Sequence, residues 1–501
     1  MAYRDYRAPG VDVIIERSES TTNVNLTQFL PVFVGTGMTS RSKVIKKSRI
    51  KANVTEYPLV TLDWDIVGSF NTQLYSETDF EVKELALHKE IVTGTPITTL
   101  VEGTDFEVVN ATEMLSVDGK ARTVIKILDA TKILDTDLYY DVSIEIENSD
   151  SDFDLRLVTA DDRYYSNDIF GPYELNEDGN TFFNDIAIAA EVAFRTGVEK
   201  FFYLEVPRAY GDVASAADII KALDKIYYKN DAYRIVPLSL DPEVTAALNS
   251  FTTALANPLD RREVVAFTGI DPTEIVDMNS LNELIEKVGG LSTALDNKRS
   301  VNIFGGSSVE LIISSKRYVL PMYFMNVAIA SFDTTVGMAE PLSTREINIF
   351  SKVNGPRFRP RQWNELAKHG VFIVYQEETS GPVIIRHQLT TKQTDVAEDQ
   401  EYSIVKNFDA VTKRLRDRMK PYAGRLNVTD GYMERIDASF TSAIEEVKQL
   451  GWAREIKVLT PWAVRVVGTG DTARKENRNL VGKFKLVPVY PANNLDIYLV
   501  V

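Results

Sequence analysis

Among the residue patterns that could carry chemistry, the sharpest is Gly35-Thr36-Gly37-Met38-Thr39-Ser40, directly after the apolar run Phe29 to Val34. Glycines in such a turn let a backbone approach a pyrophosphate. Here Ser40 replaces the third glycine, and a basic, β-branched stretch follows instead of a clean helix, so an ordinary strand-ending turn is expected. Asp150, Asp152 and Asp154 are spaced like the first three ligands of a calcium loop. Leu155 stands where that loop needs glycine and Asp161 where it needs a bidentate glutamate, which leaves a solvated acidic linker. Gly305-Gly306-Ser307-Ser308 lacks the second glycine of a nucleophile elbow, whose place falls on Val309 or Glu310. No P-loop and no helical zinc-protease pattern occurs. The chain contains no cysteine, which excludes disulfides, thiolate zinc sites, iron–sulfur clusters and cysteine nucleophiles. Its three histidines, His88, His369 and His387, share no ligand spacing. No catalytic constellation emerges and no cofactor or metal is expected, which points to a structural role.

At 501 residues the chain is too long for one hydrophobic core, and two to four domains are expected. With 44% hydrophobic and 26% charged residues it is globular in composition. The 56 basic and 72 acidic side chains give a net charge of −16, which argues against nonspecific binding to nucleic acid or anionic membranes. The N-terminus, MAYRDYRAPGVDV, carries charges where a signal peptide needs an apolar run. The most apolar stretch, Tyr318 to Phe332, contains Pro321 and falls short of the ~20 residues of a membrane span. A soluble protein made in the cytoplasm is expected, and the N-x-T sequons at Asn25, Asn53, Asn110 and Asn427 are then chance matches. The basic run Lys413-Arg414-Leu415-Arg416-Asp417-Arg418-Met419-Lys420 is unusual in so acidic a chain. It reads either as a solvated helix face or as a docking surface for an acidic partner.

The elements that must position these residues change character along the chain. Pro9-Gly10 breaks any helix, and Val11, Val13 and Ile15 alternate with their neighbours as a short strand. Phe29 to Val34 predicts a second strand. Residues 41–51 then carry six basic side chains and no acid. From about 60 to 165 the period is two. Tyr140, Val142, Ile144 and Ile146 alternate with polar residues, Phe106/Val108 and Ile125/Ile127 repeat the pattern, and Asp118-Gly119 is a hairpin signal. From about 200 to 305, buried strands at 201–206, 233–240, 264–270 and 301–304 alternate with helices whose apolar residues recur at three and four. That alternation implies parallel pairing with right-handed crossovers. The last 130 residues are mixed. Strands are expected at 371–375, 383–386, 456–459, 483–488 and 497–501, with helices marked by Phe408, Val411, Leu415, Met419 and by Ile436, Phe440, Ile444, Val447.

The arm Pro9-Gly10-Val11-Asp12-Val13, with a terminal strand Asp496-Ile497-Tyr498-Leu499-Val500-Val501, resembles the contractile tail sheath proteins of bacteriophages. Further matches fall in order. Phe33-Val34-Gly35 is similar to the family's first core strand, and Glu102-Gly103-Thr104-Asp105-Phe106 to an element of its β insertion. Asp168-Ile169-Phe170-Gly171-Pro172, followed by Ile188-Ala189-Ala190 and Phe194, resembles the opening of its α/β domain. Pro341-Leu342-Ser343-Thr344, Leu366-Ala367-Lys368-His369-Gly370-Val371 and Arg386-His387-Gln388-Leu389-Thr390-Thr391 resemble three later segments. Asp12 departs from a frequent aromatic and His369 from a usual small residue.

The resemblance implies an α+β multidomain chain: a mixed α/β core with extended N- and C-terminal strand arms, an inserted antiparallel β domain and an inserted α/β domain. The expected divisions are a linking arm at 1–20, a core of 21–40 plus 360–501, a β-rich insertion at 41–165 and an α/β domain at 166–360. The implied function is that of a sheath subunit that polymerises helically around an inner tail tube and contracts to drive it through a host envelope for genome ejection. Its place would be the virion, assembled in the host cytoplasm. Implied partners are further copies in six-fold hexameric rings, the tube protein, and baseplate and terminator proteins, without nucleic acid or membrane insertion. Pro9, Gly10, Val11, Asp12, Val13, Ile14 and Ile15, and Asp496 to Val501, are the expected inter-subunit strands, since a free strand can complete a neighbour's sheet edge. Lys413, Arg414, Arg416 and Arg418 are the expected tube contact. Two alternatives stay open: the sheath of a phage-derived bacteriocin or injection machine, and an α/β nucleotide-dependent enzyme with a β accessory domain.

Overall fold

In a computed structural model of the chain, the described residues are 29–38, 43–51, 66–69, 73–76, 80–88, 98–109, 123–127, 139–147, 154–177, 180–208, 214–256, 262–270, 281–377, 381–422, 430–467 and 474–490. Both expected arms, Pro9–Ile15 and Asp496–Val501, lie outside them, as do Asp118-Gly119 and Asp150 and Asp152.

A nine-stranded sheet organises the chain. Its strands are β1 (Leu30–Gly35), β2 (Arg156–Thr159), β3 (Lys200–Glu205), β4 (Ala232–Pro237), β5 (Val265–Gly269), β6 (Ser300–Phe304), β7 (Glu346–Ile347), β8 (Val371–Gln376) and β9 (Val383–His387). They lie in the order β2-β3-β1-β4-β5-β6-β8-β9-β7. The six from β3 to β8 are parallel, and β2, β9 and β7 add antiparallel margins. β1, β4, β5 and β6 are buried at every position, as expected of parallel strands covered on both faces.

Helices supply that cover: α1 (Asp185–Thr196), α2 (Ala216–Ala222), α3 (Pro242–Leu255), α4 (Leu281–Leu295), α5 (Tyr323–Thr335), α6 (Pro360–Lys368), α7 (Tyr402–Met419) and α8 (Asp430–Gln449). One face of the sheet, including Phe33, Tyr203, Tyr233, Phe267 and Phe372, packs under α1, α5, α7 and α8. The other, with Val32, Val34, Leu204, Ile235 and Ala266, packs under α2 and α3, while α4 and α6 cover Val371 and Ile373. The apolar stretch around Tyr318 to Phe332 is thus a core strand and the buried helix α5. Among the described residues no helix is long and apolar enough to cross a membrane.

The segment between β1 and β2 forms two four-stranded antiparallel sheets. The basic strand Lys43–Lys51 pairs antiparallel with the alternating strand Tyr139–Glu147, with Lys43 in register with Glu147 and Arg49 with Asp141. The expected fold class therefore holds. The sheet pairing crosses two of the expected boundaries. The sheet runs straight across residue 360, because β8 pairs in parallel with β6, and β2 already belongs to it before residue 165. β1 pairs on both edges, with β3 and β4, and both of these lie in the segment expected to be a separate insertion.

Candidate assembly site

Where a doubly wound sheet reverses its strand order, here between β1 and β4, a crevice opens beyond the carboxyl ends of the strands and commonly takes a ligand. Among the described residues, the chain's own side chains crowd this one. Gly35 lies so close to Leu238 that a Cβ would come within 2.6 Å of it, and a Cβ on Gly37 would meet the Glu205 carboxyl group at 2.5 Å. The first amides of α1, which a phosphate would need, are already used. Ile186 N donates to the Thr36 carbonyl at 3.0 Å, Ala187 N to Asn184 Oδ1 at 3.2 Å and Ile188 N to the Asn184 carbonyl at 3.0 Å. Asp185 occupies the remaining space, accepting from Thr36 Oγ1 at 2.7 Å and from the Tyr323 hydroxyl at 2.9 Å. Burial pushes its carboxyl up to about 6, against the pull of those two hydroxyls. The Gly35-Thr36-Gly37 turn serves internal packing.

A second polar cluster fixes α7 across the sheet. Arg234 on β4 and Lys406 on α7 are both wholly buried, and each meets Asp333 on α5, at 2.5 Å and 2.6 Å. The Tyr402 hydroxyl donates to the same carboxylate at 2.5 Å. Burial raises the Asp333 carboxyl, but Arg234 and Lys406 outweigh it and hold the group below its ordinary value. Arg234 also donates to the Phe29 carbonyl. The Phe29 ring stacks on Tyr233 at 4.0 Å and lies under Lys413 Nζ at 5.3 Å. These contacts hold the chain at Phe29, the first of the described residues.

The basic run on α7 follows the same logic. Lys413 reaches the Asn230 carbonyl at 2.8 Å and Asp231 at 3.7 Å. Arg416 forms a two-pronged pair with Glu263 at 2.6 and 3.1 Å. Arg414 and Arg418 both grip Glu446 on α8, the second at 2.9 Å. The Arg414 side chain is only 9% exposed, whereas that of Arg418 is 50% exposed. Arg414 is thus an interior tie between helices rather than an open docking group. Sequence could not separate the two, because both sit in one charge run.

Beyond α8 the chain makes a long ribbon, β10 (Ala453–Val467) and β11 (Arg474–Pro488), each of 15 residues. Pro461 and Gly482 interrupt the apolar pattern, and irregular pairing around Thr460 to Ala463 absorbs them. One face is held to the core. Trp462 and Phe484 stand 5.6 Å and 4.2 Å from Phe440 on α8, and Ile456 is buried beside them. Val458 and Leu459 are 55% and 61% exposed. Among the described residues β10 and β11 pair only with each other, and no described strand adds to either outer edge. Such edges are templates for added strands.

Several segments that carry the sequence resemblance meet in space. Leu342 N donates to Gln388 Oε1 at 2.8 Å and Thr344 N to the Ile385 carbonyl at 2.7 Å. Gly370, at φ +69°, lies against the Thr390 carbonyl, where a Cβ would come within 2.6 Å. Thr391 N donates to the Ser300 carbonyl at 2.9 Å. His369 fits because its neighbour is Gly289, where a Cβ would lie 2.6 Å from the ring.

No family model matches the chain, and no curated protein matches it. Among solved structures it is similar to the helical sheath of the anti-feeding prophage in its contracted state, at 15% identity over 70% of this chain and 88% of that one, with a TM-score of 0.49. It is similar to the contracted sheath complex of the extracellular contractile injection system PVC, at 13% identity over 69% and 86%, with a TM-score of 0.48. A sheath tail protein from Desulfitobacterium hafniense is similar at 9% identity over 98% and 100%, with a TM-score of 0.43. These likenesses are loose, and the functional reading rests on the chain's own residues.

Proposed function

We propose that the chain is the structural subunit of a contractile sheath that polymerises helically around an inner tube and shortens to drive that tube through a cell envelope. A phage tail that ejects a genome is the preferred setting, because the β insertion is large. The observation that carries this reading is the two-stranded ribbon β10–β11 with both edges unpaired among the described residues. A two-stranded ribbon is marginal alone, and this sequence holds two arm-like strands, Pro9–Ile15 and Asp496–Val501, that could complete a neighbour's edges. Gly10 to Arg17 can span ~26 Å at ~3.3 Å per residue, and four or five added hydrogen bonds at ~0.5–1.5 kcal/mol each would give several kcal/mol per link. Links that run head to tail without closing generate open helical polymers. The ordered sequence resemblance supports the assignment, and the filled crevice between β1 and β4 weighs against a nucleotide at that position. A tube contact is proposed on this C-terminal region through the half-exposed Arg418, with Lys413, Arg414 and Arg416 holding α7 in place. Six-fold rings and baseplate and terminator partners belong to the same proposal. Electron microscopy of the purified protein tests it. Long hollow tubes that disappear when residues 1–17 are deleted are expected, while discrete particles with a nucleotide-dependent thermal shift would support the enzyme reading instead.

A further inference from the structure

The two ribbon strands are charged unlike the rest of the chain. β10 and β11 together carry eight basic and two acidic side chains, a balance of +6 within a chain of −16. On the face turned away from Phe440, Lys457 stands in register with Lys485, and like charges so placed repel. Lys457 has the Glu455 carboxylate at 3.2 Å. Lys483 and Lys485 lie two residues apart on β11 and therefore on one face. Both are exposed, and neither side chain has a partner among the described residues. The alternate residues on the same strand are apolar and only half-buried: Phe484, whose ring stands 4.2 Å from Phe440, and Leu486. Gly482 continues that side without a side chain, and a Cβ there would meet the Phe484 and Trp462 rings at 2.7 Å and 3.1 Å. The outer edge of β11 is thus cationic on one side and apolar on the other.

We propose that this edge receives the strand Asp496–Val501 of a second copy, antiparallel to β11 and with Asp496 opposite Lys485. The proposal rests on the self-assembly read above and adds to it the edge, the face and the register. Period-two alternation then decides the other pairs. Tyr498 comes opposite Lys483, where an aromatic ring attracts an ammonium. Ile497 comes opposite Phe484, and Leu499 opposite Gly482 beside two aromatic rings. A slip of one residue would turn Asp496 and Tyr498 to the aromatic side and the aliphatic residues to the lysines, so the register is strongly specified. Charge selects this arm for this edge. Residues 489–501 hold one acidic side chain and no basic one, whereas residues 1–17 hold three of each. The N-terminal arm is left the β10 edge, where Val458, in register with Phe484, is 55% exposed. The strand comes from a second copy because the chain's own tail leaves the ribbon tied to the body. Tyr490 donates to Glu398 at 2.5 Å, and Pro491 has no N–H for an immediate hairpin return.

The test mixes full-length chains of ordinary and heavy-nitrogen composition before assembly and treats the product with a carbodiimide, which joins a lysine amine to a touching carboxylate. Mass spectrometry is expected to find Asp496 joined to Lys485 in peptides that combine a light and a heavy half. Lys485→Glu should raise the protein concentration needed for assembly about tenfold, and adding Asp496→Lys to the same chain should recover most of that loss. Because Lys485 is exposed, its substitution should leave the urea midpoint of the monomer unchanged. Joined peptides of one isotope only would return the strand to its own ribbon and overturn the proposal. So would the absence of the 485–496 pair, or a charge reversal without effect or without rescue. Tubes that form as readily with Lys485→Glu as with the native chain refute the edge and leave the sheath reading standing. Mixed pairs in discrete oligomers without tubes keep the edge and refute the sheath.

Discussion

The nine-stranded sheet and the β10–β11 ribbon solve opposite problems. In the sheet the parallel strands have neighbours on both sides, the crevice at the strand reversal is filled, and even full charges such as Arg234, Asp333 and Lys406 are paired out of water. In the ribbon only one face is packed, Val458 and Leu459 stand in solvent, and neither edge is used by a described strand. A closed body joined to an unfinished ribbon suits a part that must keep its shape while its attachments form. The sheet is closed on itself, and the ribbon is where the proposed arms would add.

The comparison breaks first if the sheet side is soft. Asp333→Ala leaves two buried cations facing each other, and a loss of about 3–5 kcal/mol is expected, read as a large fall in the urea midpoint. Asp185 offers a pH test of about 3 kcal/mol. Its folded carboxyl sits at about 6 against an ordinary 3.8, so the folded chain binds the proton more tightly than the unfolded one. This contribution is therefore fully present below about pH 4 and is lost as pH rises to about 6. Asp185→Asn should remove that slope, and urea midpoints across pH 4 to 7 measure it. Arg414→Gln should cost about 1–3 kcal/mol, because it leaves Glu446 short of a charged partner in a partly buried place. Arg418→Gln, at the same carboxylate but half exposed, should cost about 0–1 kcal/mol. Equal effects at 414 and 418 would erase the distinction between interior tie and surface charge.

Much of this division was legible in the residues. Spacings of three and four marked α3, α4 and α8, and continuous apolar runs marked the parallel strands, since burial on both faces leaves no alternation to hide them. In sequence the ribbon shows as only two short strands, 456–459 and 483–488, because Pro461 and Gly482 look like breakers until irregular pairing absorbs them. The continuity of the sheet past residue 360 was not legible, since pairing β8 with β6 joins residues about seventy apart in sequence and no local pattern records a partner. The partners of Arg414 and Arg416, Glu446 on α8 and Glu263 just before β5, were hidden for the same reason.

The smallest effect on the monomer tests the ribbon. Leu459→Lys should change monomer stability by no more than about 0.5 kcal/mol, as surface substitutions do, yet should impair tube formation if that exposed side chain is covered by a neighbour's strand. Sedimentation and urea denaturation of the same samples separate the two outcomes. A variant that loses stability and still assembles would place Leu459 inside the fold's own packing.

The absence of cysteine permits the most direct measurement of all. A chain carrying Val13→Cys is mixed with chains carrying a single cysteine at Lys457, Val458, Leu459 or Thr460, under conditions that permit assembly and then oxidation. If the arm of one copy pairs along the ribbon of another, a disulfide should join the two different chains at one or two of those positions and spare the rest, as a single strand register demands. No inter-chain disulfide at any position, or equal closure at all four, would contradict the claim that the ribbon is completed by a neighbour.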